Sequence, residues 1–184
     1  MDHEQATKRF YQLVWPHRAS ILRLTQILTG NTAEADDLAQ ETFIKAFKAM
    51  DQFQDGTGML AWLTTILRHT RIDRLRSGAA SARNVSLEQL PVEVADEASE
   101  QEDWQSPQDV LNAIGDREII EALQELPEDI RWTLLLVDVQ GMEQQDAAQV
   151  LEIPVGTVKS RMHRGRAMLR QALTPLAREM RLLE

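Results

Sequence analysis

Ile153-Pro154-Val155-Gly156-Thr157-Val158-Lys159-Ser160-Arg161-Met162-His163-Arg164-Gly165-Arg166-Ala167-Met168-Leu169-Arg170 is the stretch on which the reading of this chain turns. The 184 residues carry a formal net charge of −9, yet this segment holds Lys159, Arg161, Arg164, Arg166 and Arg170 with no Asp or Glu among them. Wound as a helix at about 100° per residue, it separates two faces. Val158, Met162, Gly165 and Leu169 fall on one narrow stripe. Lys159, Ser160, His163, Arg164 and Ala167 fall on the other side. A helix with an apolar back and a cationic front of hydrogen-bond donors suits a major groove, where Arg, Lys and Ser meet base edges and phosphates. Gln144 to Leu151 reads as a short helix just before it, with Ala147, Ala148 and Leu151 available for packing. Glu152-Ile153-Pro154 makes a tight break, with Pro154 placed to open the second helix. Two helices joined by so short a turn read as helix-turn-helix.

The fold class follows from composition. The chain is 43% hydrophobic, enough for real cores, while aromatics, Gly and Pro are few. Ala, Leu, Gln, Glu and Arg dominate, and no run has the β-branched alternation of a strand, so the expectation is all-α. Cysteine is absent, which excludes disulfides, thiolate metal sites and cysteine nucleophiles. His3, His17, His69 and His163 share no metal-ligand spacing. No Gly-rich phosphate loop and no Ser/His/Asp order supports an enzyme. No signal peptide or membrane span is recognised, apolar runs such as Leu134 to Val137 being far too short, so a soluble, cytoplasmic chain is expected.

The acidity is localised. Between Asn84 and Val110 lie Glu88, Glu93, Asp96, Glu97, Glu100, Glu102, Asp103 and Asp109, with no base. From Ser77 to Gln105 helical periodicity dissolves, which reads as a flexible acidic linker between two small helical domains. Before it, four helices are expected: Glu4 to Trp15, broken near Pro16; Arg18 to Thr29, stopped by Gly30; Ala33 to Met50, capped by Asn31 with Glu34; and Met59 to about Arg76. After it, Ser106-Pro107-Gln108-Asp109 starts a helix to Glu125, and Glu128 to Val139 forms another, ended by Gly141.

Two further faces carry chemistry. The fourth helix places Leu63, Ile66, Leu67 and Thr70 inward, with Thr65, Arg68, His69, Ile72 and Arg76 facing away and Arg71 at the border. A Gly-bearing loop precedes it, and Trp62 offers a stacking surface. The third helix clusters Asp36, Asp37, Gln40 and Glu41 around Ile44, off its apolar stripe of Ala35, Leu38, Ala39, Thr42, Phe43, Ala46 and Phe47. An exposed Ile beside carboxylates suits docking to a basic protein partner.

In this order, the pieces resemble the bacterial extracytoplasmic-function (ECF, group 4) sigma factors of the sigma-70 family. Asp36-Asp37-Leu38-Ala39-Gln40-Glu41-Thr42-Phe43-Ile44-Lys45-Ala46-Phe47 is similar to the family's core-polymerase-binding helix. Ala61-Trp62-Leu63 through Ile72-Asp73-Arg74-Leu75-Arg76 is similar to its minus-ten helix. Leu126-Pro127, Gly141 and the stretch from Ile153 to Arg161 are similar to its region-four domain.

The resemblance implies a region-two domain over residues 1–78, an acidic linker over 79–105 and a region-four domain over 106–184. It implies core-polymerase contacts from Asp36, Asp37, Gln40, Glu41, Ile44 and Lys45. It implies minus-ten contacts from Asp55, Gly56, Thr57, Gly58, Met59, Trp62, Thr65, Arg68, His69, Arg71 and Arg76, holding an unstacked base. Thr157, Lys159, Ser160, Arg161, His163, Arg164 and Arg166 would read the minus-thirty-five element. The implied partners are RNA polymerase core, promoter DNA and an anti-sigma protein. The third helix's acidic face and the apolar residues around Leu134 to Val137 are candidate docking surfaces for that protein. No catalytic residue, metal or cofactor is implied, and the free chain is expected to be monomeric and extended about its linker.

Several positions depart from the pattern. His69 stands where Asn is usual, and Glu143 replaces a usual Ser cap. Gln144 and Ala147 are less apolar than their common counterparts. Glu152 replaces the usual Gly of the turn, where a left-handed backbone costs about 1 kcal/mol. A region-four domain of reduced stability on its own is the expected consequence. The alternative reading is a helix-turn-helix repressor or response-regulator-type protein that binds operator DNA without polymerase.

Overall fold

The computed structural model describes residues 3–54, 58–81 and 116–179, and every element within them is helical. The first is α1, His3–Arg9. It does not break at Pro16 as expected. A π turn, Phe10–Val14, leads into a short 3-10 segment, Trp15–His17, and on into α2, Arg18–Thr29. Pro16 sits in the first turn of that 3-10 segment, where its missing N–H has no helical partner to lose. Gly30 ends α2 at φ 69°, its N–H donating to the Gln26 carbonyl at 3.0 Å. Asn31 then caps α3, Thr32–Lys48: its Oδ1 accepts from the N–H of Ala33 at 2.9 Å and of Glu34 at 3.2 Å. Helix α4 spans Met59–Ser81, running on past Arg76.

In the second half, α5 is Asp116–Gln124 and α6 is Glu128–Leu134, continued by a π turn over Leu135–Val139. The Arg131 side chain donates to the carbonyls of Gln124 and Leu126, closing the end of α5 and fixing the bend at Leu126-Pro127. Helix α7, Gln144–Leu151, and α8, Val155–Glu179, form the helix-turn-helix. The turn is a Schellman motif: Ile153 N–H donates to the Ala148 carbonyl at 3.1 Å and Glu152 N–H to the Gln149 carbonyl at 3.2 Å. Glu152 takes the left-handed position, φ 58° and ψ 42°. Pro154 precedes the helix as its cap, accepting from Thr157 and Val158 N–H, rather than filling the first helical position.

Most residues of the inward stripes read from periodicity are buried, whereas Phe43, Phe47, Ile66 and Leu169 are half-buried. Ile21, Leu24, Leu38, Leu63, Leu67, Ala147 and Val158 are at most 1% exposed. Buried Thr42, Thr64 and Thr70 return their hydroxyls to the carbonyls of Leu38, Leu60 and Ile66, so no polar group is stranded there. Leu134, Leu135 and Leu136 are likewise buried, which removes them as a docking surface. Segment 134–137 belongs to the core because α8 lies across α6.

The chain forms two helical domains, α1–α4 and α5–α8. The described parts of the two are not held apart as an extended chain would have them. Helix α4 packs on α7 and α2 on α5, and one continuous cluster of buried side chains runs from Val14 and Leu63 through Leu123 to Leu135 and Leu151. The cause is apolar surface that neither half covers alone. The expected linker and the helix start at Ser106 lie outside the described residues, apart from residues 77–81, which are helical.

Gly165 marks the closest approach within the second half. A Cβ there would lie 2.6 Å from Ile130 and 2.8 Å from Leu134. Gly165→Ala therefore destabilises the protein by about 1–3 kcal/mol in a denaturant melt. Gly156→Ala, in open space within the same helix, should instead be neutral or stabilise by up to about 1 kcal/mol. Equal effects of the two substitutions would contradict this packing.

Candidate nucleic-acid interface and protein-docking groove

Helix α8 turns its apolar stripe to α6 and α7. Val158 is fully buried, Met162 is 4% exposed, Gly165 is buried and Leu169 is half-buried. Lys159, Ser160, His163, Arg164 and Ala167 are all exposed on the opposite side, as the helical winding requires. Two of the seven residues assigned to this face by sequence are ion-paired within the protein. Arg161 Nη2 lies 3.0 Å from Asp129 Oδ2, its side chain 25% exposed. Arg166 makes two charge-assisted hydrogen bonds to Asp138, at 2.6 and 3.0 Å, and these raise its pKa above the usual guanidinium value. Asp138 sits on the π turn after α6, so the π turn aims the Arg166 fork. Thr157 is half-buried, and its carbonyl accepts from the Ser160 hydroxyl at 3.0 Å. A cleft of about 360 Å³ opens between the start of α7 and this front, lined by Gln144, Lys159, Met162, His163, Arg166 and Arg170. Periodicity alone does not mark Gln144 for this cleft; its place there depends on how α7 meets α8.

Helix α4 departs further from expectation. Arg76 and His69 are exposed, but the Arg68 and Arg71 side chains are only 19% and 15% exposed. The second domain covers them. Arg71 Nε donates to Glu128 Oε1 at 2.8 Å, Arg68 Nη1 lies 3.5 Å from Glu152, and His69 Nε2 lies 3.4 Å from the same carboxylate. The Thr65 hydroxyl is used by the Ala61 carbonyl. Trp62 is half-buried and packs its ring 5.2 Å from Phe53. Gly58 and Met59 open the helix, Gly58 exposed and Met59 half-buried, while Asp55, Gly56 and Thr57 lie outside the described residues.

On α3, Asp36, Asp37, Gln40 and Ile44 are exposed as expected, Ile44 by 48%. Glu41 and Lys45 are not free partners. Glu41 accepts from Arg74 Nε at 2.7 Å, and Lys45 lies between Glu41 at 3.1 Å and Asp73 at 3.3 Å. These pairs brace α3 against α4. Hydrogen bonding from Arg74, assisted by Lys45, holds the Glu41 carboxyl below the usual carboxylate range against the opposing effect of its partial burial. Beside this face runs an apolar groove of about 570 Å³, walled by Phe10, Tyr11, Trp15, Phe43, Ile44 and Phe47, with Asp36, Gln40, Arg18 and Lys48 at its edge. Tyr11 and Trp15 are 58% and 42% exposed. Sequence reasoning missed them, although aromatics four apart on a helix form a stripe that could have been noticed.

Among the described residues, no group of three His, Cys, Asp or Glu converges to hold a metal, and no helix is long and apolar enough to cross a membrane.

Against known proteins, residues 13–81 match the family described as Sigma-70 region 2, and residues 116–169 match Sigma-70, region 4. The chain is 35% identical over 179 residues to RNA polymerase sigma-H factor of Pseudomonas aeruginosa, covering 94% of this chain and 90% of that one. It is 38% identical over 142 residues to ECF RNA polymerase sigma factor EcfG of Rhodopseudomonas palustris, covering 77% and 72%. The fold is similar to the sigma factor RpoE of Bartonella quintana, solved in complex with the anti-sigma factor NepR. The TM-score is 0.72 at 26% identity, over 91% of this chain and 98% of that one.

The two faces of α8 separate by stability. Met162→Ala should cost about 2–5 kcal/mol, a buried side chain lost, while Lys159→Ala and Arg164→Ala stay within about 0.5 kcal/mol of the parent. A melt lowered equally by all three would refute the assignment. At Glu41 the depressed carboxyl contributes stability above its unfolded pKa, and that contribution is lost as pH falls through the folded value. Glu41→Gln should therefore lower stability at neutral pH by under about 1 kcal/mol, since solvent screens the pair, and the difference should vanish in acid.

Proposed function

This chain belongs to the sigma-70 family, among its extracytoplasmic-function sigma factors, and on that premise we propose the parts by which it binds RNA polymerase core and directs promoter-specific initiation. Residues 1–78 are assigned core binding and minus-ten reading, 79–105 the linker, and 106–184 minus-thirty-five reading, with α4 itself running on to Ser81. The observation that carries the division of labour is the exposed cationic front of α8 on a back packed through Val158, Met162 and Gly165.

In the minus-thirty-five element, Lys159, Ser160, His163 and Arg164 are assigned the groove contacts, with Thr157 at the helix start. Arg161 and Arg166 join by exchanging Asp129 and Asp138 for phosphate. Exposed ion pairs are worth about 0–1 kcal/mol, so the exchange is small. Gly58, Met59, Trp62, Thr65, Arg68, His69, Arg71 and Arg76, with the loop at Asp55 to Thr57, are assigned to the minus-ten element. Trp62 and the cations there are suited to stacking and backbone contact with an unstacked strand. Capture of a flipped base by such a pocket offsets the cost of unstacking it.

Core docking is assigned to Asp36, Asp37, Gln40 and Ile44, extended by the Tyr11–Trp15 wall of the groove. An apolar groove edged by Asp36 and by Arg18 and Lys48 suits an amphipathic partner surface, with the cations of that surface meeting Asp36 and Asp37. The operator-binding alternative has no use for that groove. Glu41 and Lys45 act by holding α3 on α4 rather than by direct contact. The protein is a cytoplasmic initiation factor, not an enzyme, and is monomeric when free. An anti-sigma protein is its expected regulator. With no cysteine in the chain, redox sensing belongs to that partner.

Run-off transcription tests the function. With core polymerase and a genomic fragment library, initiation should occur at specific promoters, and the pure chain should bind those promoters weakly at physiological salt. Tight specific duplex binding without core would favour the operator-binding reading. For the docking face, Asp37→Lys and Ile44→Ala should weaken core binding with an unchanged melt, whereas Glu41→Lys should weaken binding and lower the melt by placing a third cation beside Arg74 and Lys45. Core affinity unmoved by Asp37→Lys and Ile44→Ala together would remove this face from the assignment.

A further inference from the structure

We propose that the turn of the helix-turn-helix is a self-inhibitory latch, in which Glu152, seconded by Glu128, closes the second domain over the cations of α4 in the free chain. The proposal rests on the reading of α4 as the minus-ten helix. Arg68, His69 and Arg71 are successive cations along one side of that helix. In the structure none of them faces open solvent without a carboxylate: Glu152 stands 3.5 Å from Arg68 and 3.4 Å from His69, and Glu128 stands 2.8 Å from Arg71. Both acids come from the second domain, at the end of α7 and the first turn of α6. Two carboxylates therefore occupy the cations that would meet the phosphates of an open strand, and a chain closed in this way cannot present that side of α4 to DNA.

The geometry suits a latch that opens. Glu152 is the only non-glycine with positive φ among the described residues, held at φ 58° by the Schellman turn. That left-handed conformation is strained for a residue with a Cβ. It sets Glu152 at the point of the turn from which its carboxylate reaches α4. Arg68 Nη1 is buried with no hydrogen bond of ordinary length, only the longer ion pair to Glu152. Its desolvation is poorly compensated in the closed form, and opening relieves it. The Glu152 side chain is 64% exposed, so salt screens its pairs and competing phosphates reach it. The apolar contact of α4 with α7 and α2 with α5 holds the halves together, and the carboxylates set their register over the cations. Core polymerase, by binding the α1–α4 half, would release a closed form rather than assemble an extended one.

The test uses the full chain, whose lack of cysteine allows dyes at Asp51→Cys and Gln171→Cys, both exposed and one on each half. Energy transfer and binding of a labelled promoter bubble are measured without polymerase for the parent, Glu152→Gly, and the double variant Glu152→Gln with Glu128→Gln. Gly accepts the left-handed turn, so the helix-turn-helix stays folded, and the double variant keeps side-chain size. Both variants should lower energy transfer and tighten bubble binding about two- to tenfold, the range expected for losing partly exposed ion pairs that hold a closed population. Raising salt should open the parent and narrow its difference from the variants. Energy transfer unchanged in both variants overturns the latch, as does opening with no gain in binding. Run-off transcription by the parent with core polymerase keeps the two readings apart. An active parent with unmoved dyes overturns the latch alone, whereas a parent inactive at every promoter overturns the assignment of α4 and the latch with it.

Discussion

Helix α4 joins the two halves of the chain through one continuous core, and the arrangement of the described residues depends on that contact. Leu63 and Leu67 are fully buried along its length. The helix packs against α3 and α2 within its own half and against α7 of the other. An amphipathic helix ordinarily buries one stripe and leaves the rest to solvent. Here the second side, carrying Arg68 and Arg71, is also covered, and its charge is met by acids contributed from the other half. Removing α4 from either neighbour would expose apolar surface and unpaired cations together.

The same economy recurs across the cationic set. Arg74, Arg161 and Arg166 each have a carboxylate within 3.0 Å in the folded chain. None of these pairs is deeply buried, so each contributes little to stability and holds a long side chain in a defined direction. A guanidinium oriented by a weak pair can exchange its carboxylate for a phosphate at small cost. In this way a protein with net charge −9 keeps its guanidinium groups oriented at the surface. The groove of Phe10, Tyr11, Trp15 and Ile44 is the counterpart in apolar surface: contiguous, partly exposed and edged by charges of both signs, the composition expected at a protein interface rather than on an idle face.

What the sequence determined by itself is local. The stop at Gly30, the cap at Asn31 and the buried and exposed sides of α8 are all found where the sequence places them. Each is set by backbone geometry or by a period of 3.6 residues, and neither needs knowledge of the rest of the chain. Pro16 does not end the helical path, for the complementary reason: a proline in the first turn of a 3-10 segment is tolerated, and only the continued path of the chain reveals that it is in one. Tertiary structure alone decided what stands opposite each face. Periodicity marks Glu41 and Arg68 as polar-side residues. It carries no information on whether water, a partner or another part of the chain meets them. Glu41 went to Arg74, Glu152 to Arg68 and His69, and Tyr11 and Trp15 to a groove with Phe43 and Ile44. Those pairings depend on how whole helices pack, because long-range contacts are chosen by the apolar surfaces that must be buried and the charges are then matched within the geometry that results.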